Sequence, residues 1–426
     1  MNLKGCGELE SLPSSICQLK SLSYVALSGC SQLKVFPDLE ENMEGMRELH
    51  LDGTSIEELS PSVNRLMRLA ILNLRNCKSL ICLPDNICKL ACLTGLTLSG
   101  CSKLSNLPDN FGNLESLWDL QIEGSGIKQF PFSILRMNKL LLLSCDGCEE
   151  LRAPFLLWSP IRGHRTSPLR YHGYFTLESL DLSDCNLLEV SDCIAYLSSV
   201  KRLSLCRNDF ETLPETMIHL HVLMSLELDS CKRLKSIPML SSNISYIDAH
   251  DCTALEDVSS PKPHWGNLYY FIFSNCSHLE LNPFMHIMQR RLCWGTVILP
   301  HSFYTCLPGS EVPDWFSYCC RGNSVNVQLP LNLYDDKFSG FAICAICNLQ
   351  SAHSVSDLSA LCFCNFKGNH GQHSFSFYLF KAGLRTERFS YRKKATDRFL
   401  ESDHMFLGYV PWSDYRLIAA CRRAGR

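Results

Sequence analysis

Four cysteines stand in two close pairs, Cys344-x-x-Cys347 and Cys362-x-Cys364, with 14 residues between the pairs. Thiolates at such spacing can hold zinc tetrahedrally, so they are the first place to look for chemistry. A strand works against it. Residues 344 and 347 on one strand point to opposite faces, and the segment Gly340–Cys347 offers no turn to bring them together. Structural thiols are therefore the favoured reading of these four. Cys145-x-x-Cys148 has the spacing of a redox pair but lies inside a repeated pattern that explains it better. The adjacent Cys319 and Cys320 read as free thiols. The fourteen histidines are scattered, with no H-E-x-x-H or G-x-S-x-G context. Cys306 lies near His301, but closeness in sequence does not make a nucleophile and base. The expectation is a chain with no catalytic residue, no cofactor and no metal.

Stepping from these residues to the elements that hold them, the 25 cysteines of the 426-residue chain find a common cause. The pattern L-x-x-L-x-L-x-x-C begins at Leu22, Met46, Leu69, Leu93, Leu117, Leu140, Leu177, Val200, Leu223 and Ile244. Successive starts are 24, 23, 24, 24, 23, 37, 23, 23 and 21 residues apart. Such a period marks a leucine-rich-repeat solenoid. The L-x-L pair alternates, so both apolar residues of a short strand face one core. The ninth position holds Cys30, Cys77, Cys101, Cys148, Cys185, Cys231 and Cys252, replaced by Thr54, Ser125 and Asn208 in three repeats. All are small groups able to bond to the backbone, and a ladder of one thiol per repeat is not a disulfide framework. A proline follows each ladder position in most repeats (Pro37, Pro84, Pro108, Pro131, Pro214, Pro238) and limits the return segment.

Composition narrows the class. Apolar residues make up 46% and charged residues 19%, which suits a sizeable core. The net charge of −3 argues against a nucleic-acid binder, although 11 Lys/Arg against 5 Asp/Glu make residues 381–426 basic. No apolar run reaches membrane-spanning length, and Met1 is not followed by a signal-peptide core, so a cytoplasmic setting is expected, with the nucleus as a second one. Pattern and chain begin together without a polar cap, which suggests the C-terminal part of a longer protein or a partner at that end.

Domain organisation reads as repeats over 1–258, with an insertion at 152–176, a connector over 259–300 carrying a strand at Tyr269–Ser274, and a β-rich domain over 301–426. In the last domain strands are expected at Ser324–Leu329, Phe338–Cys347, Leu361–Phe366, Ser374–Phe380 and His404–Val410. The third, fifth, seventh and eighth repeat positions point outward from the strand side. There Asp181, Asp184, Glu227, Asp229, Asp248 and Asp251 form acidic columns, diluted by Arg202 and Arg207. Two readings stay open, a solvated face and a docking surface for a basic protein partner.

The segment Leu307-Pro308-Gly309-Ser310-Glu311-Val312-Pro313-Asp314-Trp315-Phe316 resembles the opening of the C-JID (jelly-roll/Ig-like) domain of plant intracellular immune receptors. These belong to the Toll/interleukin-receptor-like, nucleotide-binding, leucine-rich-repeat class. Ser324–Pro330, Lys337–Cys344 and Ser402–Val410 resemble later parts of that domain, and Leu226–Leu234 and Ile247–Leu255 its preceding repeats. The resemblance implies an α/β leucine-rich-repeat horseshoe followed by an all-β jelly-roll/Ig-like sandwich. After Tyr409 the closing strands of the family are not matched, so an incomplete sandwich with an open edge is expected. Implied partners are a pathogen effector or a guarded host protein, and the receptor's nucleotide-binding module, with neither nucleic acid nor membrane among them. The implied role is effector sensing or restraint of the switch module; the alternative is a non-signalling remnant or scaffold binding host proteins only. No G-x-x-x-x-G-K-[ST] loop occurs, so the family's nucleotide and NAD chemistry is not carried by these residues. Trp315 and Phe316 are expected to anchor the sandwich against the last repeats, with a surface role in ligand contact as the alternative.

Overall fold

Each L-x-L pair becomes a three-residue strand, because two apolar side chains two residues apart share one buried face. The computed structural model describes residues 1–149, 151, 176–259, 270–281, 285, 289, 303–322, 324–328, 340–348, 359–368, 371–381 and 403–411. The chain divides into two units, Met1–Leu226 and Glu227–Arg426.

The first unit stacks β1 (Tyr24–Ala26), β2 (Glu48–His50), β3 (Ile71–Asn73), β4 (Gly95–Thr97), β5 (Asp119–Gln121), β6 (Leu142–Ser144), β7 (Ser179–Asp181) and β8 (Arg202–Ser204), each parallel to the next. Third positions pair with third positions throughout, as in Tyr24↔Glu48 and Glu48↔Ile71. β6 pairs directly with β7 across the 37-residue spacing, so the extra length belongs to one repeat's return path. Residues 152–175 of that insertion lie outside the described residues.

The return segments correct the α/β expectation. Among the described residues, the helical turns in these returns are 3-10, at Ser14–Gln18, Pro61–Arg65, Asp85–Lys89, Phe111–Asn113, Phe132–Arg136, Asp192–Tyr196 and Glu215–His219. Pro13, Pro84, Pro131 and Pro214 sit at N-caps in extended backbone, and the short period leaves room for little more than one turn afterwards.

β9 (Ser225–Glu227) spans the division; in the second unit β10 (Ser236–Ile237) pairs in parallel with β12 (Asp257–Val258), and β11 (Tyr246–Asp248) lies between them in sequence. β13 (Tyr270–Ile272) is parallel to β11, and β14 (Phe303–Pro308) is parallel to β13. The parallel pairing thus continues beyond Cys252. β13 sits in the expected connector but is a further rung, with Phe271 and Phe273 in the leucine slots and Cys276 in the ladder slot.

Four strands follow: β15 (Gly340–Asn348), β16 (Ser359–Gly368), β17 (Gly371–Lys381) and β18 (Asp403–Pro411). β18 lies antiparallel between β14 and β15, while β16 and β17 form an antiparallel pair with a register shift at Ala360/Leu361. β17 approaches β14 and β18. Four of the strands expected here lie where the alternation put them. The expected strand at Ser324–Leu329 is not formed over Ser324–Gln328, and Leu329 is outside the described residues.

Candidate functional site

The ladder explains what positions the candidate residues. The thiols of Cys30, Cys77, Cys101 and Cys148 donate to the carbonyls of Leu3, Leu51, Leu74 and Ile122 at 3.1 Å, the sixth position of the preceding repeat. Cys252 and Cys276 do the same to Leu228 and Ala249. Asn208 substitutes by donating to Leu182 and Leu205 at 2.9 Å. Burial pushes these thiols up, to about 12 for Cys101 and Cys276 and about 11 for Cys148. The residue just before the ladder slot has positive φ in every described repeat. Glycine holds it at Gly29, Gly53, Gly100, Gly124 and Gly147, and Asn76, Asp184, Arg207, Ser230, Asp251 and Asn275 hold it elsewhere. Asn and Asp tolerate this region better than most residues, so Asp184 and Asp251 are in part turn residues.

In the first unit, Asp181 is buried and folds back on its own strand exit, its Oδ1 accepting from Ser183 N at 3.0 Å and Ser183 Oγ at 2.6 Å. Arg202 Nε donates to Ser179 Oγ at 3.3 Å. Arg207 bridges two carboxylates, with Nη2 at 2.8 Å from Asp146 Oδ1 and Nε at 3.6 Å from Asp184 Oδ2. Asp184 is the exposed member, with 53% of its side chain accessible.

In the second unit the expected open acidic column is a closed knot. Asp229 and Asp248 are buried, at 2% and 4% exposure, and both gather around His250, at 1%. His250 Nδ1 lies 2.6 Å from Asp248 Oδ1, which also accepts the His250 backbone N–H at 3.2 Å. Nε2 lies 3.8 Å from Asp251 Oδ2 and 4.0 Å from Asp229 Oδ2. Tyr246 donates to Asp248 Oδ2 at 3.4 Å, and Asn275 Nδ2 donates to Asp251 Oδ1 at 2.6 Å. Asp229, Asp248 and His250 offer a donor set of metal-site type, with ligand atoms within 4.8 Å of one another. The Nδ1–Asp248 hydrogen bond already uses one ring nitrogen and one of those carboxylates. Asp229 and Asp248 are buried against the imidazole, so they belong to the packing of the last repeats rather than to a free docking face. Glu227 is half-buried at the end of β9. Sequence reasoning missed His250. The signal was its seventh position, which faces the same side as the fifth and eighth.

The Leu307–Phe316 segment closes onto the sheet. Leu307 ends buried on β14, Gly309 N donates to Asp403 O at 3.0 Å, and a Cβ on Gly309 would stand 3.2 Å from Met405 Cε. Phe316 N donates to Pro313 O at 3.0 Å, and the Trp315 and Phe316 rings stack with centroids 4.4 Å apart. Both pack on Leu407 and Tyr409 of β18, together with Met285, Ala342 and Cys344. The aromatic pair thus packs, half-buried, on the face of β18. Ser310 and Glu311 are exposed. The unbroken register of β15 puts Cys344 on this core and Cys347 on the other side, so the four-thiolate set of the sequence does not assemble. Cys362 and Cys364, with sulfurs 3.8 Å apart on β16, remain a pair of their own.

Two family models match this frame. Residues 103–265 match the leucine-rich repeats of the RPS4B-like disease resistance proteins, and residues 307–420 match the C-JID domain. The chain belongs to the plant disease resistance proteins that carry leucine-rich repeats and a C-JID domain. It is 33% identical to the disease resistance-like protein DSC1 of Arabidopsis thaliana over 96% of this chain and 28% of that protein. Disease resistance protein RPP2B of the same species is 34% identical over 92% of this chain and 33% of its own. TMV resistance protein N of Nicotiana glutinosa is 32% identical over 80% and 30% respectively. The chain therefore spans about a third or less of these relatives. Among solved structures, an LRR protein of Leptospira interrogans aligns over 66% of this chain and 79% of its own, with a TM-score of 0.45 and 21% identity. Among the described residues no helix is long and apolar enough to cross a membrane.

Proposed function

We propose that this chain is the ligand-reading part of an intracellular plant immune receptor. It senses a pathogen effector or a guarded host protein, and at rest restrains the receptor's nucleotide-binding switch. The observation that carries this reading is the order of matched parts, resistance-type repeats followed by a C-JID domain, in a chain whose chemistry is spent on structure. The ladder thiols and the His250 knot all bond to the protein itself, which leaves the outward strand positions and the C-JID loops to choose a partner. Extended repeat surfaces suit proteins better than small molecules. The acidic residues still open to solvent, Asp184 foremost, would act through steering and selectivity more than through affinity. The C-terminal strands, with β17 against β14 and β18, are best read as the jelly-roll/Ig-like sandwich of the C-JID domain.

The test is an exchange of segments. This chain replaces the matching third of TMV resistance protein N, and leaf tissue expressing the chimaera is challenged with TMV. Loss of the response, with no spontaneous cell death at rest, is the expected result. A chimaera that still responds to TMV would show that this segment does not select the ligand.

A further inference from the structure

One glycine of the parallel sheet serves neither a turn nor a close approach of backbone. Gly95 opens β4 at the outward third position of its repeat, with ordinary strand backbone. Every other strand from β1 to β8 carries a side chain there, from Tyr24 to Arg202. Most glycines of these repeats are accounted for: several hold left-handed turns, and at Gly45, Gly112 and Gly126 a Cβ would collide with the backbone of a neighbouring repeat. At Gly95 a Cβ would meet nothing within 4 Å. Glycine inside a strand weakens it, and where no bend or bulge needs it, it marks a place where another molecule comes close.

The register sizes the gap. Gly95 stands between Ile71 of β3 and Asp119 of β5, and neighbouring strands lie about 4.8 Å apart, so a notch one side chain wide opens between those two residues. One wall is apolar, with Ile71 38% exposed. The other is acidic. Asp119 Oδ2 accepts from Gln121 Nε2 at 3.1 Å, and Glu123 lies on the same outward side of the repeat. Among the described residues no Lys, Arg or His pairs with either carboxylate. Burial pushes the Asp119 carboxyl up, the Gln121 hydrogen bond offsets part of this, and Glu123 pushes it up further. A cation set beside it relieves both causes.

We propose that the notch over Gly95 receives one arginine side chain of a protein partner, with its stem along Ile71 and its guanidinium on Asp119. This rests on the reading of the chain as a protein binder and names the chemistry of one contact. An arginine stem covers apolar surface while its head stays with the charge, and its planar fork matches a carboxylate better than an ammonium does. Glu123 draws the same cation and favours a basic partner over an acidic one.

The test selects random peptides displayed on phage against the full chain and then depletes them on the Gly95→Val chain. In urea that variant should be at least as stable as the unaltered chain, because its side chain enters open space and valine suits a strand. The peptides that remain should each carry an arginine. Citrulline in its place, or Asp119→Asn in the chain, should weaken binding about tenfold or more, and lysine should weaken it less. A depletion that leaves no peptide, survivors without arginine, lysine binding as well as arginine, or binding untouched by citrulline or by Asp119→Asn would overturn the proposal. So would a Gly95→Val chain that unfolds more easily, since the glycine would then serve packing. A chimaera that still answers TMV, beside arginine peptides that need Gly95, would sink the receptor reading and leave the notch standing.

Discussion

The backbone N–H of Asn275 donates to Nε2 of His404 at 3.0 Å, across 129 residues of sequence. Asn275 holds the left-handed turn position of the last ladder rung. In the rung before it, the equivalent N–H of Asp251 donates to Ser274 O at 2.9 Å, on the next rung. At the end of the array a side chain of β18 accepts instead. A C-JID strand thus caps the turn that a further repeat would have capped, and because Nε2 accepts, the ring carries its proton on Nδ1.

His404→Leu removes that acceptor from a fully buried position. The stranded N–H should cost about 1–3 kcal/mol. Urea unfolding measures the loss, and hydrogen exchange at the Asn275 amide should quicken in step. An amide as protected as before would mean that the bond does not hold the turn.

The strand core gives a sharper contrast. Leu96 and Leu98 are buried, while Thr97 between them is half-buried on the other face. Leu96→Ala and Leu98→Ala should each cost about 2–5 kcal/mol, and Thr97→Ala little. Equal losses at all three positions in denaturant titrations would contradict the strand.

Much of this was legible in the sequence because the repeat imposes one rule on many residues. The leucine slots, the ladder at Cys77 or Cys101 and the proline-limited returns follow from period and polarity alone. What escaped was the consequence of neighbours. The rung at Phe271–Cys276 was hidden because phenylalanines fill its leucine slots. Asp229 and Asp248 looked like surface charge because spacing says which way a side chain leaves the strand, not what packs over it. His250 in the seventh position supplies the partner that lets those carboxylates stay buried. For Trp315 and Phe316 the sequence gives no hint that the face of β18 is what they pack on, since it does not say which sheet face a neighbouring turn folds onto.

The ladder thiols carry a pH dependence. Their folded pKa values lie above the ordinary thiol value, about 12 for Cys101 and Cys276 and about 11 for Cys148, with burial as the main cause. The unfolded chain then loses thiol protons first as pH rises. The contribution is complete below about pH 9, the ordinary thiol value, and fades toward 11–12. Thermal unfolding followed from pH 7 to 11 should show a falling Tm above pH 9, shallower in Cys101→Thr, which has no thiol to ionise and whose hydroxyl can donate to a carbonyl of its own repeat as Thr54 does to Leu51. An equal slope in both proteins would remove the thiols from the account.

Trp315 tests the C-JID core. Its ring stacks on Phe316 and both lie on Leu407 and Tyr409. Trp315→Ala should cost about 3–5 kcal/mol if the site cannot collapse. Limited proteolysis should then cut within 303–411 while the repeats before residue 226 stay intact. Unchanged cleavage would return the pair to a surface role.

The last prediction separates acidic residues that hold the fold from those free to meet a partner. Asp184 and Asp248 look alike in the repeat pattern, yet one is half-exposed beside Arg207 and the other is buried against His250 at 2.6 Å. Asparagine is the right probe for both. It removes the charge, keeps the size, and tolerates the φ of +54° at Asp184, where lysine would add backbone strain to the charge change. Asp248→Asn leaves His250 facing Asp229 and Asp251 without its nearest carboxylate, and breaking such a buried pair should cost about 3–5 kcal/mol. Asp184→Asn loses only a solvent-screened contact, so its cost should stay below about 1 kcal/mol. Urea unfolding of the two variants at neutral pH decides the matter. A large loss at Asp184 would make it structural too, and would move the search for a docking face to other outward positions. A small loss at Asp248 would mean that the knot around His250 adds little, and that its carboxylates are held in place by the repeat backbone alone.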